Sequence, residues 1–311
     1  MKTKIFNLII VVSFLILLLE LLLHKPLIFE TISYSLNIWV TTLIPSMFPF
    51  FIISDILISY HITNYIPKPI KKTLIKLFHI SEPSLSVLFL SSLSGFPSNA
   101  RLIRNLYDNK IITKEEASQT LIFTHFSNPL FILSTIAIFF LNNENYGYII
   151  LISHYLGNLI LALITRKSRQ SCNTNYTPTT NKSQNFSTTL MKAIRSSIDS
   201  LLMILGSLTC FLVLSSLIIK RLTISPYNSA LIKGILEITM GLKSLSLLNI
   251  SDCYKVVIST MFISFGGLSV HLQVLSQLVD TNISYQPFFI ARIFHSLLSG
   301  GLSYLLYIFI F

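Results

Sequence analysis

The chain has 311 residues, of which 52% are hydrophobic and 11% are charged, and its formal net charge is +11. Soluble globular proteins carry roughly 25% charged residues, so this composition excludes an ordinary soluble protein and indicates an integral membrane protein. In a membrane protein a basic excess is typical of cytoplasmic loops that face anionic lipid, and we therefore predict no nucleic-acid partner. The three cysteines form no C-x-x-C pair, which predicts neither a disulfide framework nor a zinc site.

The N-terminal segment, 1–30, is predicted to be an uncleaved transmembrane anchor helix. Lys2 and Lys4 precede an apolar run that is longer than the core of a signal peptide, and no small-residue cleavage site follows it. Since a span needs about 20 apolar residues, we predict an all-α polytopic membrane protein with about seven full spans. The predicted spans are 5–23, 36–60, 118–141, 146–165, 197–219, 254–279 and 286–311.

Two further apolar segments, 84–107 and 228–250, are interrupted, and we predict that both enter the membrane and turn back. The first contains SGFPSNAR, in which Gly95 and Pro97 interrupt a helix. If 84–107 crossed fully, its basic C-terminal end and the basic loop beyond the next two spans would both lie outside, against the positive-inside rule. The alternative is a kinked full span whose arginines reach the interface.

The same order of spans and interrupted segments occurs in residues 31–165 and 193–311, which we interpret as two repeats. A polar linker, 166–192, rich in Asn, Ser and Thr, separates them. Each half has three full crossings, so the second half is expected to be inverted relative to the first, as in many secondary transporters.

Polar clusters within the apolar segments supply the candidate substrate-binding residues. The stretches THFSNPLF (124–131) and SFGGLSVHLQ (264–273) occupy matching places in the two halves, and their Asn-Pro and Gly-Gly pairs let the backbone unwind. Unwound spans expose positive helix N-termini that can face an anion. The predicted site consists of Ser94, Gly95, Pro97, Ser98, Asn99, Arg101, His125, Ser127, Asn128, Glu237, Gly266, Gly267, Ser269, His271 and Gln273.

Each of these residues has a purely structural alternative. Serine in a membrane helix usually bonds back to its own helix, and a Gly pair often serves close packing. A lone histidine can hydrogen-bond to a neighbouring helix, and Glu237 can pair with Lys233 one turn away. An ionisable residue inside a membrane is nevertheless a functional hypothesis by default, which favours Glu237.

The sequence has none of the common motifs of enzymes or ATP-driven pumps. It contains no H-E-x-x-H, no P-loop and no G-x-S-x-G. His154 and His295 lie at matching places in the two halves, without Cys or carboxylate neighbours at metal-ligand spacing. We therefore predict no enzymatic activity, no metal and no cofactor.

Seven segments in the right order resemble the YlbJ-type sporulation integral membrane proteins, part of the wider nucleoside-recognition or Gate-domain family. The resemblance extends from about residue 36 to the C-terminus. In the segment SGFPSNAR, Asn99 is a variant residue that still fits the pattern of the family. The segments are LIPSMFPFFIISDIL (43–57), SGFPSNARLIRNLY (94–107), FSNPLFIL (126–133), SHYLGNL (153–159), GILEITMGLKSL (234–245), FGGLSVHLQVLS (265–276) and PFFIARIF (287–294).

The resemblance implies two Gate-like repeats with a fold similar to concentrative nucleoside transporters. It also implies a role in sporulation, in which dipicolinate, a small aromatic dicarboxylate, moves from the mother cell across the outer forespore membrane. Half-helix N-termini and Arg101 would suit its charge, and Phe96, Phe126 or Phe265 could stack on its ring.

Alternatives and partners also follow from these observations. A nucleoside or nucleobase permease would use Glu237, Asn128 and Gln273 as hydrogen-bonding groups, and a sporulation scaffold would not transport at all. The expected partners are the lipid bilayer, a small anionic substrate, H⁺ or Na⁺ as a coupling ion, and further copies of the chain in a homo-oligomer.

Overall fold

The computed structural model describes residues 2–60, 62–166, 185–222 and 224–311, and every regular element in these ranges is helical. The α-helices are α1 (Lys2–Leu23), α2 (Lys25–Ile38), α3 (Ile44–Ser59), α4 (Lys68–Phe78), α5 (Glu82–Ser94), α6 (Ser98–Asp108), α7 (Lys114–Phe123), α8 (Glu144–Ile164), α9 (Phe186–Arg221), α10 (Pro226–Leu236), α11 (Ile238–Ser246), α12 (Asp252–Phe265), α13 (Gly267–Leu278) and α14 (Gln286–Ile310). Five of the longer helices begin where a side-chain cap or a proline favours a helix start, namely α2, α8, α9, α12 and α14. Two π-helical segments, Trp39–Leu43 and Phe131–Phe140, and a short 3₁₀ turn, Ile62–Tyr65, complete the described elements.

Six helices of the described residues are long and apolar enough to cross a membrane, or seven if a bent helix pair counts as one span. They confirm the predicted spans near 5–23, 146–165, 254–279 and 286–311. The predicted span 36–60 belongs to a continuous stretch, Lys25–Leu57, that begins 11 residues earlier than expected. The predicted span 197–219 lies within α9, whose 36 residues extend about 54 Å and exceed the thickness of a bilayer core.

The span predicted at 118–141 is divided into two helical pieces, and the unwinding expected at its Asn-Pro pair is confirmed. Helix α7 ends at Phe123, residues 124–128 are not helical, and the chain resumes as the π-helical segment Phe131–Phe140. Neither helical piece is long enough to span alone. The cause is local, because the proline at position 129 removes a backbone donor and disfavours the helical conformation of the residue before it.

The interruptions predicted in 84–107 and 228–250 are confirmed, whereas their entry and return on one side of the membrane stay predictions. The first lies at 95–97, between α5 and α6, and the second at Glu237, between α10 and α11. The sequence did not predict the bend between α4 and α5. These two helices are the bent pair that would count as a seventh span, and the angle between them is 99°. A side-chain cap starts α5 at this bend, where the Ser81 hydroxyl accepts from the backbone N–H of Ser84.

Two of the predicted domain boundaries fall within helices. The boundary after residue 30 lies inside α2, and the end of the predicted linker at residue 192 lies inside α9, which starts at Phe186. Residues 167–184, most of that linker, lie outside the described residues.

Small residues allow α8, α12 and α14 to pack closely at the centre of the molecule. A side-chain carbon on Gly157 would collide with Ser299 and with the ring of His295, and one on Gly300 would lie 2.7 Å from the Cγ of Met261. In a membrane, close packing of backbones replaces much of the hydrophobic driving force between helices. These glycines therefore fix the spacing at which polar side chains of the three helices meet.

Helix contacts between the two halves occur in matched pairs. The contact of α6 with α13 matches the contact of α11 with the π-helical segment Phe131–Phe140. The contact of α7 with α14 matches the contact of α12 with α8. Within the halves, α3 contacts α5 as α9 contacts α10. Two further pairs between the halves, α3 with α9 and α8 with α14, join equivalent helices.

Candidate functional site

The helix interruption at 95–97 meets the unwound segment 124–128. The backbone N–H of Phe96 donates to the carbonyl oxygen of Phe126 at 2.7 Å. Gly95 has a φ of +77°, and a Cβ there would lie 2.6 Å from the backbone nitrogen of Asn128. Only glycine combines this conformation with this approach, so the two interruptions are joined at backbone level.

The interruption at Gly266 connects this pair to the one at Glu237. A Cβ on Gly266 would lie 3.0 Å from the Nε2 of His125, and a Cβ on Gly267 would lie 3.3 Å from the backbone nitrogen of Ile238. Both glycines have positive φ angles, +98° and +60°. All four interruptions therefore lie in one contiguous region, which we call the break junction (95–97, 124–128, 237 and 266–267).

Two of the four helix N-termini at the break junction have no side-chain cap. Glu237 caps α11 by accepting the Met240 N–H at 2.9 Å, and Asn128 accepts the Leu130 N–H at 2.8 Å. By contrast, the N-cap positions of α6 and α13, Pro97 and Gly266, provide no side-chain hydrogen bond. The positive end of the helix dipole makes such N-termini favourable for anions. At α6 the N–H groups of Ser98 and Ala100 already donate to the carbonyl oxygens of Gly95 and Pro97.

Several buried polar side chains at the break junction have atoms without a hydrogen-bond partner. They include both amide atoms of Asn99, both ring nitrogens of His125, and the hydroxyls of Ser127 and Ser269. Each of these residues is at most 2% exposed. Because nearly all buried polar groups in proteins are paired, such a concentration distinguishes this region from an ordinary packed core.

His154 has a structural role that its partners define. Its Nε2 accepts the backbone N–H of Ser127 at 2.9 Å, and its Nδ1 therefore carries the proton that faces the Ser264 hydroxyl at 2.9 Å. His295 is fixed in a similar way. Its Nε2 donates to the carbonyl oxygen of His154 at 2.9 Å, and its Nδ1 accepts from Arg292 at 2.8 Å. The rings of His154 and His295, which lie at matching places of the two halves, contact each other with centroids 4.9 Å apart.

His271 is also held on both sides. Its Nε2 donates to the carbonyl oxygen of Phe265 at 3.0 Å, and its Nδ1 lies 2.7 Å from the hydroxyl of Tyr285. Tyr285 lies just outside the last span, and burial raises the pKa of its hydroxyl to about 12, so it remains a donor. Of the four histidines around the junction, His125 differs because both of its nitrogens are open, while its ring stacks on Phe96 at 4.8 Å between centroids.

The structure brings most of the predicted site residues together, but several already have partners within the protein. Arg101 forms an ion pair with Asp55 at 3.0 Å and bonds to Ser196. The structural alternative for Glu237, an ion pair with Lys233, is not formed. The Glu237 carboxylate caps α11, and its backbone N–H donates to the Lys233 carbonyl oxygen at 2.6 Å.

Three further predicted residues, Ser94, Ser98 and Gln273, also have hydrogen-bond partners within the protein. The hydroxyl of Ser94 bonds back to the Leu90 carbonyl oxygen at 2.9 Å. The backbone N–H of Ser98 donates to Gly95 at 3.2 Å, and Gln273 donates to the Ser207 hydroxyl at 2.6 Å.

Sequence reasoning missed Arg292 and Asn158. Arg292 is fully buried in α14, where it donates to the Oδ1 of Asn158 at 3.2 Å and to the carbonyl oxygen of Ile122. Asn158 in turn donates to the carbonyl oxygen of His125 at 2.8 Å. The signal for Arg292 was present, because an arginine within a predicted span is itself a functional hypothesis.

Metal binding has no candidate site in the described ranges, which contain no group of three or more His, Cys, Asp or Glu side chains arranged around one point. The two cysteines that the structure describes, Cys210 and Cys253, are free thiols.

With its several membrane-spanning helices, this is a multi-pass integral membrane protein, and its sequence has a curated relative. The chain is a homologue of YlbJ. The alignment with "Sporulation integral membrane protein YlbJ" of Bacillus subtilis (strain 168) has 29% identity over 327 residues and covers 94% of this chain and 80% of YlbJ. No family model and no solved structure matches the chain. Because the alignment with YlbJ covers nearly the whole chain, it includes every element of the break junction.

Proposed function

We propose that the protein is a sporulation transporter that moves dipicolinate from the mother cell across the outer forespore membrane. Homology to a sporulation integral membrane protein supports the cellular process. The resemblance of the motifs to YlbJ-type proteins supports the substrate, and the geometry of the break junction supports a small anion.

The observation that carries the proposal is the pair of uncapped helix N-termini beside His125. Helices α6 and α13 pack on each other and both begin at the junction without a side-chain cap. The open ring nitrogens of His125 and the open amide of Asn99 are buried in the same region. Dipicolinate has two carboxylates on a flat aromatic ring, so helix N-termini suit its charges and the ring of Phe96 suits its face.

Alternating access between inverted repeats is the proposed mechanism. The matched helix contacts between the two halves support it, because equivalent packing is expected of repeats. In this scheme the two halves rock about the α3–α9 and α8–α14 contacts. The break junction then lies between the halves and opens to one side at a time.

A nucleoside permease has less support than an anion transporter. Of the neutral hydrogen-bonding groups that it would use, Gln273 already bonds to Ser207 and the Oδ1 of Asn128 already accepts from Leu130, whereas the Nδ2 of Asn128 is buried without a partner. Glu237 already caps α11. A scaffold without transport has less support for another reason, because it has no need of buried polar atoms that lack partners.

The deciding experiment compares the dipicolinate content of spores from a strain that lacks the protein with that of the complemented strain. We expect spores without dipicolinate while the mother cell still makes it. Flux of labelled dipicolinate and labelled uridine into proteoliposomes separates the two transport hypotheses. Normal dipicolinate in spores of the deleted strain would refute the proposal, and uptake of uridine alone would favour a permease.

A further inference from the structure

We infer that Arg292 sets the preference of the break junction for anions, acting through its electric field from behind the unwound segment 124–128. This inference rests on the proposed function, and it assigns the selectivity to a residue other than Arg101. The sequence had suggested Arg101, but that guanidinium is balanced by Asp55.

The charge of Arg292 is buried and has only neutral partners. Its side chain is 0% exposed, and its guanidinium donates to Asn158, to His295 and to a backbone carbonyl oxygen. The His295 nitrogen that it faces acts as an acceptor and is therefore unprotonated, because a guanidinium can only donate. The guanidinium carbon also lies 5.3 Å from the centroid of the Phe288 ring.

The three arginines that form ion pairs in the structure differ from Arg292 in this respect. Arg101, Arg104 and Arg221 each contact a carboxylate, of Asp55, Asp108 and Glu20 respectively. The ion pairs formed by the described residues do not include Arg292, and its Nε has no hydrogen-bond partner. Burying a charge without a counter-charge is costly, so an anion bound nearby stabilises the arrangement.

Two contacts place this charge next to the break junction. Asn158 accepts from Arg292 through its Oδ1 and donates to the carbonyl oxygen of His125 through its Nδ2. Phe288 lies under the guanidinium and touches the His125 ring edge-on, with centroids 5.1 Å apart. One layer of neutral side chains thus separates Arg292 from the open nitrogens of His125. In a protein interior a unit charge acts across such a layer far more strongly than in water.

The field of Arg292 favours any anion in the junction and leaves a neutral ligand of the same shape unaffected. The test therefore measures binding of dipicolinate and of its neutral dicarboxamide analogue to the purified full-length protein in detergent. Arg292→Gln removes the charge, and Arg292→Lys keeps it. Lys255→Gln is the matched control, since it removes a cation at the opposite end of α12 from Gly266.

We expect Arg292→Gln to weaken dipicolinate binding by about tenfold or more while binding of the dicarboxamide changes by no more than about twofold. Lys255→Gln should leave both affinities unchanged. An Arg292→Gln protein that is folded and binds dipicolinate as wild type does would overturn the inference. If Arg292→Gln does not fold, Arg292→Lys decides, because a folded lysine variant must still prefer the dianion and a loss of preference refutes the assignment.

Failure of the proposed function gives a different result. Wild-type protein that binds another aromatic anion, such as benzoate, but not dipicolinate refutes the substrate, and the variants then test Arg292 with that anion. Wild-type protein that binds only uridine and the dicarboxamide shows no preference for anions and refutes the role of Arg292 directly.

Discussion

The backbone N–H of Phe96 donates to the carbonyl oxygen of Phe126 at 2.7 Å and joins two helix interruptions that are 30 residues apart in the chain. Both groups would otherwise be unpaired, because each lies where a helix has stopped. The bond therefore stabilises the two interruptions together. It also fixes Phe96 against the ring of His125, the side chain on which the proposed site depends.

His125→Phe should abolish dipicolinate binding without loss of stability. Phenylalanine keeps the ring contacts with Phe96 and Phe288 and removes two nitrogens that have no partner in the fold. We expect the thermal unfolding midpoint in detergent to be unchanged or higher. A marked drop in the midpoint would show that the His125 nitrogens have structural partners instead.

His154→Phe should have the opposite effect on stability. It removes the acceptor of the Ser127 N–H and the donor to Ser264, which leaves buried groups unpaired at a cost of about 1–3 kcal/mol. Thermal unfolding of the two histidine variants side by side measures the difference. Equal midpoints would contradict the distinction between an open and a structural histidine.

Gly95→Ala should destabilise the protein and reduce transport. The positive φ and the approach of the Asn128 nitrogen to 2.6 Å exclude a Cβ, and we expect a cost of about 1–3 kcal/mol. Gly206→Ala is the matched control, since its Cβ would meet nothing within 4 Å. In the interior of a helix such as α9, alanine is more stable than glycine by about 1 kcal/mol. Unfolding midpoints that fall in the first variant and rise in the second would support the close approach at Gly95. A neutral Gly95→Ala would argue against it.

Glu237→Gln should support normal dipicolinate accumulation in spores, because an amide oxygen can still accept the Met240 N–H. Glu237→Ala removes the cap and should cost about 1 kcal/mol of stability. The measurement is the dipicolinate content of spores, with the amount of protein in the membrane as a control. Empty spores from a Glu237→Gln strain with normal protein levels would place the carboxylate charge in the transport mechanism.

Asn109→Cys should react with a thiol reagent from the cytoplasmic side. Asn109 is exposed and lies directly after α6, so its side depends on whether 84–107 turns back. Labelling in inverted vesicles but not in intact cells is expected, with the native cysteines replaced. Labelling only from the outside would refute the re-entrant arrangement.

The sequence by itself determined the long spans and the positions of the interruptions. Hydropathy over about 20 residues is a local property that does not depend on neighbouring helices, which explains why the spans near 5–23 and 286–311 were correctly placed. Gly95, Gly266 and the proline at 129 also act locally, through the backbone conformations that they permit. Their grouping as a candidate site followed from this pattern.

Only the tertiary structure decided which of these groups are open and which are already paired. Arg101 looked like the cation for a substrate, but α3 brings Asp55 to it, whereas α8 and α7 give Arg292 only neutral partners. His125 and His154 have the same chemistry in sequence, yet only His154 has a partner for each ring nitrogen. The reason is physical: the cost of a buried polar group depends on what neighbouring helices offer it, and those neighbours are far away in the sequence.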